Sequence, residues 1–349
     1  MEGAFLSCAG NSLPTSRRLN VERRRGVVCM VLGRSKVDLG NVHWTTPKGE
    51  GSYGAVFFGK DDNTGTEIVV KCPKDVPLAV NLLETEKYVN NKLSAVDGRW
   101  AEYLGSFSVP YEADVPRGTM RTCLVWRKEG DGSTLDDYLS KLPSFRLPQL
   151  CGVYEQTTSA LQRQTCKFVV KELLYCLIEM QEHGIMHRDI KPANIVASPE
   201  SKHPFKVIDF GSSCDWHTPL KRGLSTATCD PVYAAPERRL NMFSPQKFDV
   251  FSVGLIGMQV LMPSLREQWQ VADFKYRLEK YDYDLVRWCA GILDGGGSCS
   301  MVQQVRDFYD DAELLPVLAQ MLRKDPSKRA SAEGALASGA FGHVALADE

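Results

Sequence analysis

A strong charge of either sign is missing from this chain, since 42 Lys and Arg against 43 Asp and Glu leave a formal net charge of -1. That balance gives no reason to expect sequence-independent binding to nucleic acid or to an anionic membrane, which needs a basic surface. Long apolar runs are missing too. The most apolar stretch, Val250 to Met262, is 13 residues long and contains Ser252 and Gln259; a bilayer span needs about 20 apolar residues. It suits a buried helix, and no transmembrane helix is expected. The 11 cysteines are odd in number and contain no C-x-x-C pair, so neither a zinc site nor a complete disulfide framework is indicated. They point to a reducing compartment. There is no internal repeat and no long low-complexity tract.

What remains is ordinary globular material: 349 residues, 43% hydrophobic and 24% charged, enough for two lobes. Residues 1–40 differ from the rest. Met1 to Arg34 holds six Arg, three Ser and only two acids, Glu2 and Glu22, the composition of an organellar transit peptide or of a disordered basic leader. Val27 to Leu32 could equally be a first strand. From Thr45 short apolar pieces alternate with polar turns: Ala55 to Phe58, the turn Asp61 to Gly65 and Glu67 to Lys71 read as a β-hairpin. Leu82 to Leu93 has the amphipathic spacing of a helix, with strands expected near Tyr103 to Phe107 and Met120 to Trp126. After Gly130-Asp-Gly132 helical periodicity takes over, clearest from Phe168 to Ile178 and ending near His183-Gly184. The reading is α+β: a β-rich N-lobe over about 41–127, a larger helical C-lobe over about 128–343, and a ligand cleft between them.

Two segments carry chemistry. Gly49-Glu-Gly51-Ser52-Tyr-Gly54-Ala-Val56 is a glycine-rich turn between strands, whose missing Cβ atoms let backbone N–H groups approach phosphate oxygens. A dinucleotide fold would open a helix at the third glycine, and here a strand continues. His187-Arg188-Asp189-Ile190-Lys191-Pro192-Ala193-Asn194 is followed fifteen residues later by Asp209-Phe210-Gly211. An Asp, a Lys two residues on and an Asn five residues on can converge on one loop as proton acceptor, phosphate-facing cation and metal ligand, the groups that phosphoryl transfer requires.

With these motifs, roughly residues 42 to 343 resemble the eukaryotic protein kinase family. The resemblance implies ATP and Mg²⁺ as cofactors. It makes Asp189 the general base or hydroxyl orienter, Lys191 the stabiliser of the transferring phosphoryl group, and Asn194 and Asp209 the metal ligands. Lys71 would contact the α and β phosphates, held by an acidic partner on the next helix; Glu86 is favoured for that role and Glu84 is the alternative. ATP would also meet Gly49, Gly51, Ser52, Gly54 and Val56, and the hinge residues Trp126, Arg127 and Glu129. Trp126 stands at the gatekeeper position, where it should narrow any pocket behind the adenine. His187, Asp249 and the expected ion pair Glu237 with Arg329 are read as structural. Lys191 is the serine/threonine form of the motif. Arg188 would receive an activation-segment phosphate on Ser225, Thr226 or Thr228.

Asp230 departs from the Thr that serine/threonine kinases commonly carry there. The form Asp230-Pro-Val-Tyr-Ala-Ala-Pro-Glu237, with Glu86-Lys-Tyr-Val-Asn-Asn and Leu124-Val-Trp-Arg-Lys-Glu-Gly-Asp131, resembles the plant and algal thylakoid state-transition kinases, which phosphorylate light-harvesting antenna proteins. Those kinases carry an N-terminal membrane helix and a lumenal cysteine pair. Neither is read in this sequence, so redox control through such a pair is not carried over. The resemblance implies a chloroplast location, with the cytoplasm as alternative, a protein substrate and a monomer. A pseudokinase scaffold and a small-molecule phosphotransferase are the competing readings. The joint presence of Lys71, Asp189, Asn194 and Asp209 speaks against the first, and Ala235-Pro-Glu237 with Arg329 against the second.

Overall fold

Strand pairing at the N-terminal end follows the alternation of β-branched and aromatic residues with turn residues. A computed structural model describes residues 42–50, 53–110, 120–218, 229–237 and 244–342. The leader, Gly51, Ser52, Ser225, Thr226 and Thr228 lie outside the described residues. The strands β1 (Val42–Glu50), β2 (Gly54–Asp61), β3 (Glu67–Pro73), β4 (Tyr103–Pro110) and β5 (Met120–Arg127) form one antiparallel sheet in the order β1-β2-β3-β5-β4. The β2–β3 hairpin closes at Gly65, whose φ of 71° is left-handed and whose N–H donates to Asp61 O at 2.9 Å. Its register sets Val56 opposite Lys71, and β3 sets Lys71 opposite Leu124.

Helix α1 (Pro77–Leu93) packs against this sheet, with Leu83 beside Leu124 and Trp126 of β5. It starts five residues before the expected Leu82, because Pro77 sits in the first helical turn, where its fixed φ suits the helix and no N–H is missed. Ala79, Leu83, Val89 and Leu93 are buried.

The C-terminal part is helical: α2 (Arg146–Leu150), α3 (Thr158–Glu182), α4 (Lys247–Leu261), α5 (Gln268–Lys280), α6 (Leu285–Gly291), α7 (Cys299–Tyr309), α8 (Leu314–Met321) and α9 (Ala332–Leu336). Between α3 and α4 run four short strands, β6 (Ile185–Met186), β7 (Ile195–Ala197), β8 (Phe205–Val207) and β9 (Cys214–Asp215); β6 pairs with β9 and β7 with β8. Helix α3 begins at Thr157, whose hydroxyl accepts from Ala160 N, and ends at Gly184 with φ 70°. Every residue of α4 from Phe248 to Leu261 is buried. A helix enclosed on all sides needs an apolar circumference, which is why this segment has the densest apolar composition in the chain. It packs on α3 and α8 so closely that a Cβ on Gly257 would lie 2.9 Å from Val170 Cγ2 of α3 and 3.0 Å from Leu318 Cδ2 of α8.

Candidate active site

The sheet and the helical part enclose a cleft of about 800 Å³, within the usual size of a small-molecule site. Gly54, Val56, Lys71, Trp126 and Arg127 line it from the sheet, and Glu129 from the connection between the lobes. Asp189, Lys191, Asn194 and Asp209 line it from the helical side.

The sheet side centres on Lys71. Its Nζ lies 2.8 Å from Glu86 Oε2 and 2.7 Å from Asp209 Oδ1. Glu86 is 1% exposed, whereas Glu84 faces solvent; two residues apart on a helix, they cannot share a face. Two carboxylates thus surround one ammonium. Burial alone would lower the Lys71 pKa, but Asp209 and Glu86 together hold it above its ordinary value. The more enclosed carboxyl is the one that gives up its charge more readily: burial pushes Glu86 up to about 7, against the pull of Lys71 and with Asp209 adding to the rise. Asp209, whose side chain is 43% exposed, goes the other way: burial raises it, but Lys71, His187 and the Gly211 N–H together hold it below its ordinary value.

Helix α1 is anchored on two sides. On the face of Glu86, Asn90 one turn later donates to Glu86 O at 2.8 Å and accepts from Trp126 Nε1 at 3.0 Å. On another face, Tyr88 and Lys92 both reach Asp215 of β9 at 2.7 Å. Asp215 also accepts from the backbone of His217 and Thr218. Burial would raise the Asp215 carboxyl, yet Lys92, Tyr88 and Thr218 hold it down at about 2.

The helical side is a loop between β6 and β7. The Asp189 carboxylate accepts from Asp230 N at 2.9 Å and Asn194 Nδ2 at 3.0 Å, with Lys191 Nζ at 2.9 Å. Three donors occupy a carboxylate with about four lone-pair sites, which leaves room for roughly one further hydroxyl. The Asp230 side chain stands 3.7 Å from Lys191 and accepts from Gln268 Nε2 of α5 at 2.9 Å. Lys275, also on α5, donates to Pro231 O and Ala234 O at 2.8 and 2.5 Å, and its burial lowers its pKa to about 8.

Residues outside the cleft fix the loop. Asp249, in the first turn of α4, accepts from His187 N and Arg188 N, both at 2.8 Å. His187 is fully buried against Phe210, with Nε2 3.0 Å from Ile208 O. Arg188 and Asp209 both have φ of 65°, a left-handed conformation that costs a non-glycine residue on the order of 1–3 kcal/mol. Asp249 stabilises the first, and the Arg188 guanidinium donates to Ser212 O and Ser213 O. Glu237 meets Arg329 through two hydrogen bonds of 2.7 and 2.6 Å, and Arg329 is capped further by carbonyls of Arg323, Lys247 and Lys324.

Glu129 turns its carboxylate to Ser198 Oγ at 2.7 Å and Lys206 Nζ at 3.1 Å. Sequence reasoning assigned no role to these two residues, nor to Asn90, Asp215, Gln268 and Lys275. For Asn90 a signal existed, since an amide four residues after Glu86 shares its face.

The sequence profile described as the protein kinase domain matches residues 140–341, more than half of the chain. The chain belongs to the protein kinase family. Among its relatives, serine/threonine-protein kinase STN7, chloroplastic, of Arabidopsis thaliana is 26% identical over 329 residues, covering 85% of this chain and 56% of that protein. Serine/threonine-protein kinase STN8, chloroplastic, of the same plant is 32% identical over 238 residues, covering 59% of this chain and 46% of that protein. The chain therefore spans about half the length of these curated relatives. The crystal structure of a Stt7 homolog from Micromonas algae, soaked with ATP, superposes with a TM-score of 0.73 at 23% identity, covering 94% of this chain and all of that one. The fold is that of protein kinases, with a sheet-based N-lobe and a helical C-lobe.

The kinase-family site fits a magnesium ion. Asp209 offers a carboxylate to the cleft, and Asn194, whose amide nitrogen is committed to Asp189 O and Oδ2, retains its amide oxygen. Two protein oxygens are what this hard ion takes when substrate phosphates and water complete its shell. Among the described residues of the chain, no helix is long and apolar enough to cross a membrane.

Proposed function

We propose that this chain is an ATP-dependent serine/threonine protein kinase that transfers the γ-phosphoryl group of Mg-ATP to protein hydroxyls. The observation that carries the reading is the convergence of Lys71, Glu86 and Asp209 on one side of the cleft with Asp189, Lys191 and Asn194 on the other. In this reading Lys71 binds the α and β phosphates while Glu86 holds it in place. Gly49, Gly51, Ser52 and Gly54 cover the phosphates, with Val56 and the 126–129 connection against the base. Asn194 and Asp209 hold Mg²⁺, which neutralises charge developing on the phosphates. Asp189 orients the substrate hydroxyl and takes its proton, and Lys191 stabilises the transferring group. The kinase domain then spans 41–343, with the lobes meeting near 127.

We place the substrate among thylakoid light-harvesting proteins and the protein in the chloroplast. The support is the Asp230-Pro-x-Tyr-x-x-Pro-Glu237 form and the naming of STN7 and STN8 as chloroplastic. The test is incubation of the purified chain with labelled ATP and Mg²⁺ on thylakoid membranes and on a generic basic protein, followed by phosphoamino-acid analysis. Labelled phosphoserine or phosphothreonine, concentrated in antenna proteins, is the expected result. Equal labelling of both substrates removes the antenna assignment, and no labelling of either removes the kinase assignment in favour of a scaffold.

A further inference from the structure

We infer that Trp126 is a positioning residue, whose indole N–H tethers helix α1 through Asn90 and thereby holds Glu86 against Lys71. The bulk of an aromatic ring at this position accounts for its place in the cleft wall. It does not explain the polar contact. Trp126 is 8% exposed and Asn90 1% exposed. A buried indole N–H needs an acceptor, and a buried carboxamide needs both a donor and an acceptor. The pair satisfies both needs: Trp126 Nε1 donates to Asn90 Oδ1 at 3.0 Å, and Asn90 Nδ2 donates to Glu86 O at 2.8 Å. The chain of contacts continues from the Glu86 carboxylate to Lys71 Nζ at 2.8 Å and on to Asp209 Oδ1 at 2.7 Å.

The contact joins α1 to β5, two elements between which the backbone forms no hydrogen bond among the described residues. Trp126 packs with Leu83 of α1, Leu124 and Ala101, its ring 5.7 Å from Tyr103. Apolar packing of this kind is non-directional. It allows α1 to slide or rotate. A hydrogen bond one helical turn from Glu86 does not: on the face opposite the Asp215 anchor it limits the rotation that aims Glu86 at Lys71. Asn is a poor residue for a helix interior, which this role accounts for.

The test uses the whole chain as Trp126→Phe, Asn90→Leu, the double variant, and each of these combined with Glu86→Gln. The double variant removes both polar groups and so leaves none unpaired, which separates tethering from stability. Amide exchange in residues 77–93 should rise about tenfold in Trp126→Phe, the equivalent of about one buried hydrogen bond, with α3 and α4 unchanged. Turnover per bound ATP should fall about tenfold, and on the Glu86→Gln background the same change should cost less than about threefold, because the two act through one contact. The double variant should melt above Trp126→Phe, in which the Asn90 amide oxygen is left unpaired, without regaining turnover or α1 protection. Unchanged α1 exchange in Trp126→Phe, equal losses on both backgrounds, or restored turnover in the double variant would each overturn the inference. The kinetic arm rests on the phosphoryl-transfer reading. The exchange arm does not, so a chain without transferase activity still gives a decisive answer.

Discussion

At the residue scale the site is governed by an excess of carboxylates around one ammonium. Asp209→Asn preserves volume but removes a charged ligand of the cleft, and phosphoryl transfer should drop on the order of 10² or more. Steady-state assays with circular dichroism as a folding control would show it; near-normal turnover would refute the metal assignment. Glu86 supplies a pH prediction. Its folded-state value of about 7 lies above its ordinary 4.5, so its contribution to stability is fully present below about 4.5 and is lost as pH rises through about 7. Activity moves the other way, because only the ionised carboxylate pairs with Lys71. The pH profile of kcat/KM for ATP, which reports the free enzyme, should therefore show an acid limb near neutrality. In Glu86→Gln that limb should vanish onto a lower plateau.

At the scale of elements, α1 and α4 illustrate two ways a helix serves a site. The first is aimed, with Glu86 and Asn90 on one face and Tyr88 and Lys92 on another. The second is a fixed pillar, and its few polar residues are those that reach outward to the loops. Ser252 donates to Tyr233 O, Gln259 accepts from Tyr233 Oη, and Asp249 holds the backbone of His187 and Arg188. Ser252 and Gln259, which from the sequence only spoiled a membrane span, thus hold the segment that carries Asp230. The close approach of α3 and α4 gives a third prediction. Gly257→Ala gains about 1 kcal/mol of helix propensity, yet its methyl group would collide with Val170 and Leu318. The net should be a loss of about 1–3 kcal/mol, read as a lower urea midpoint with unchanged slope. A gain in stability would mean that α3 and α8 give way around α4 more readily than their packing indicates.

On the scale of the whole molecule, Arg329 ties residues distant in the chain. It binds Glu237, Lys247 O at the start of α4, and two carbonyls before α9. Its side chain is fully enclosed and lies over the ring of Phe251. Removing one partner of such a pair strands the other charge, so Arg329→Met should cost about 3–5 kcal/mol. Thermal unfolding should shift accordingly, while Arg329→Lys should rescue little, since an ammonium cannot reproduce the two-pronged contact. Full stability in either variant would show that the Glu237 carboxylate is solvated instead.

What the sequence determined by itself is local and repetitive. Hairpin β2–β3, the strands at 103 and 120, helix α3 and its end at Gly184 follow from periodicities of two and 3.6 and from glycine at left-handed positions. The loop 187–194 and Asp209-Phe210-Gly211 were legible because their residue types are close in the chain and have few alternative uses together. The helix face of α1 was half legible: spacing separated Glu84 from Glu86, and nothing in it said which face meets Lys71. The start of α1 at Pro77 was missed, since an apolar stripe is a signal of packing and Pro77 contributes to capping. Tertiary structure alone decided the rest. Trp126 with Asn90, Asp215 with Lys92, Glu129 with Lys206, and Lys275 with the 231–234 backbone join residues 36 to 123 positions apart. Such pairs leave no periodic trace, because a buried polar group requires only that some partner arrive, and which partner arrives depends on how sheet and helices pack.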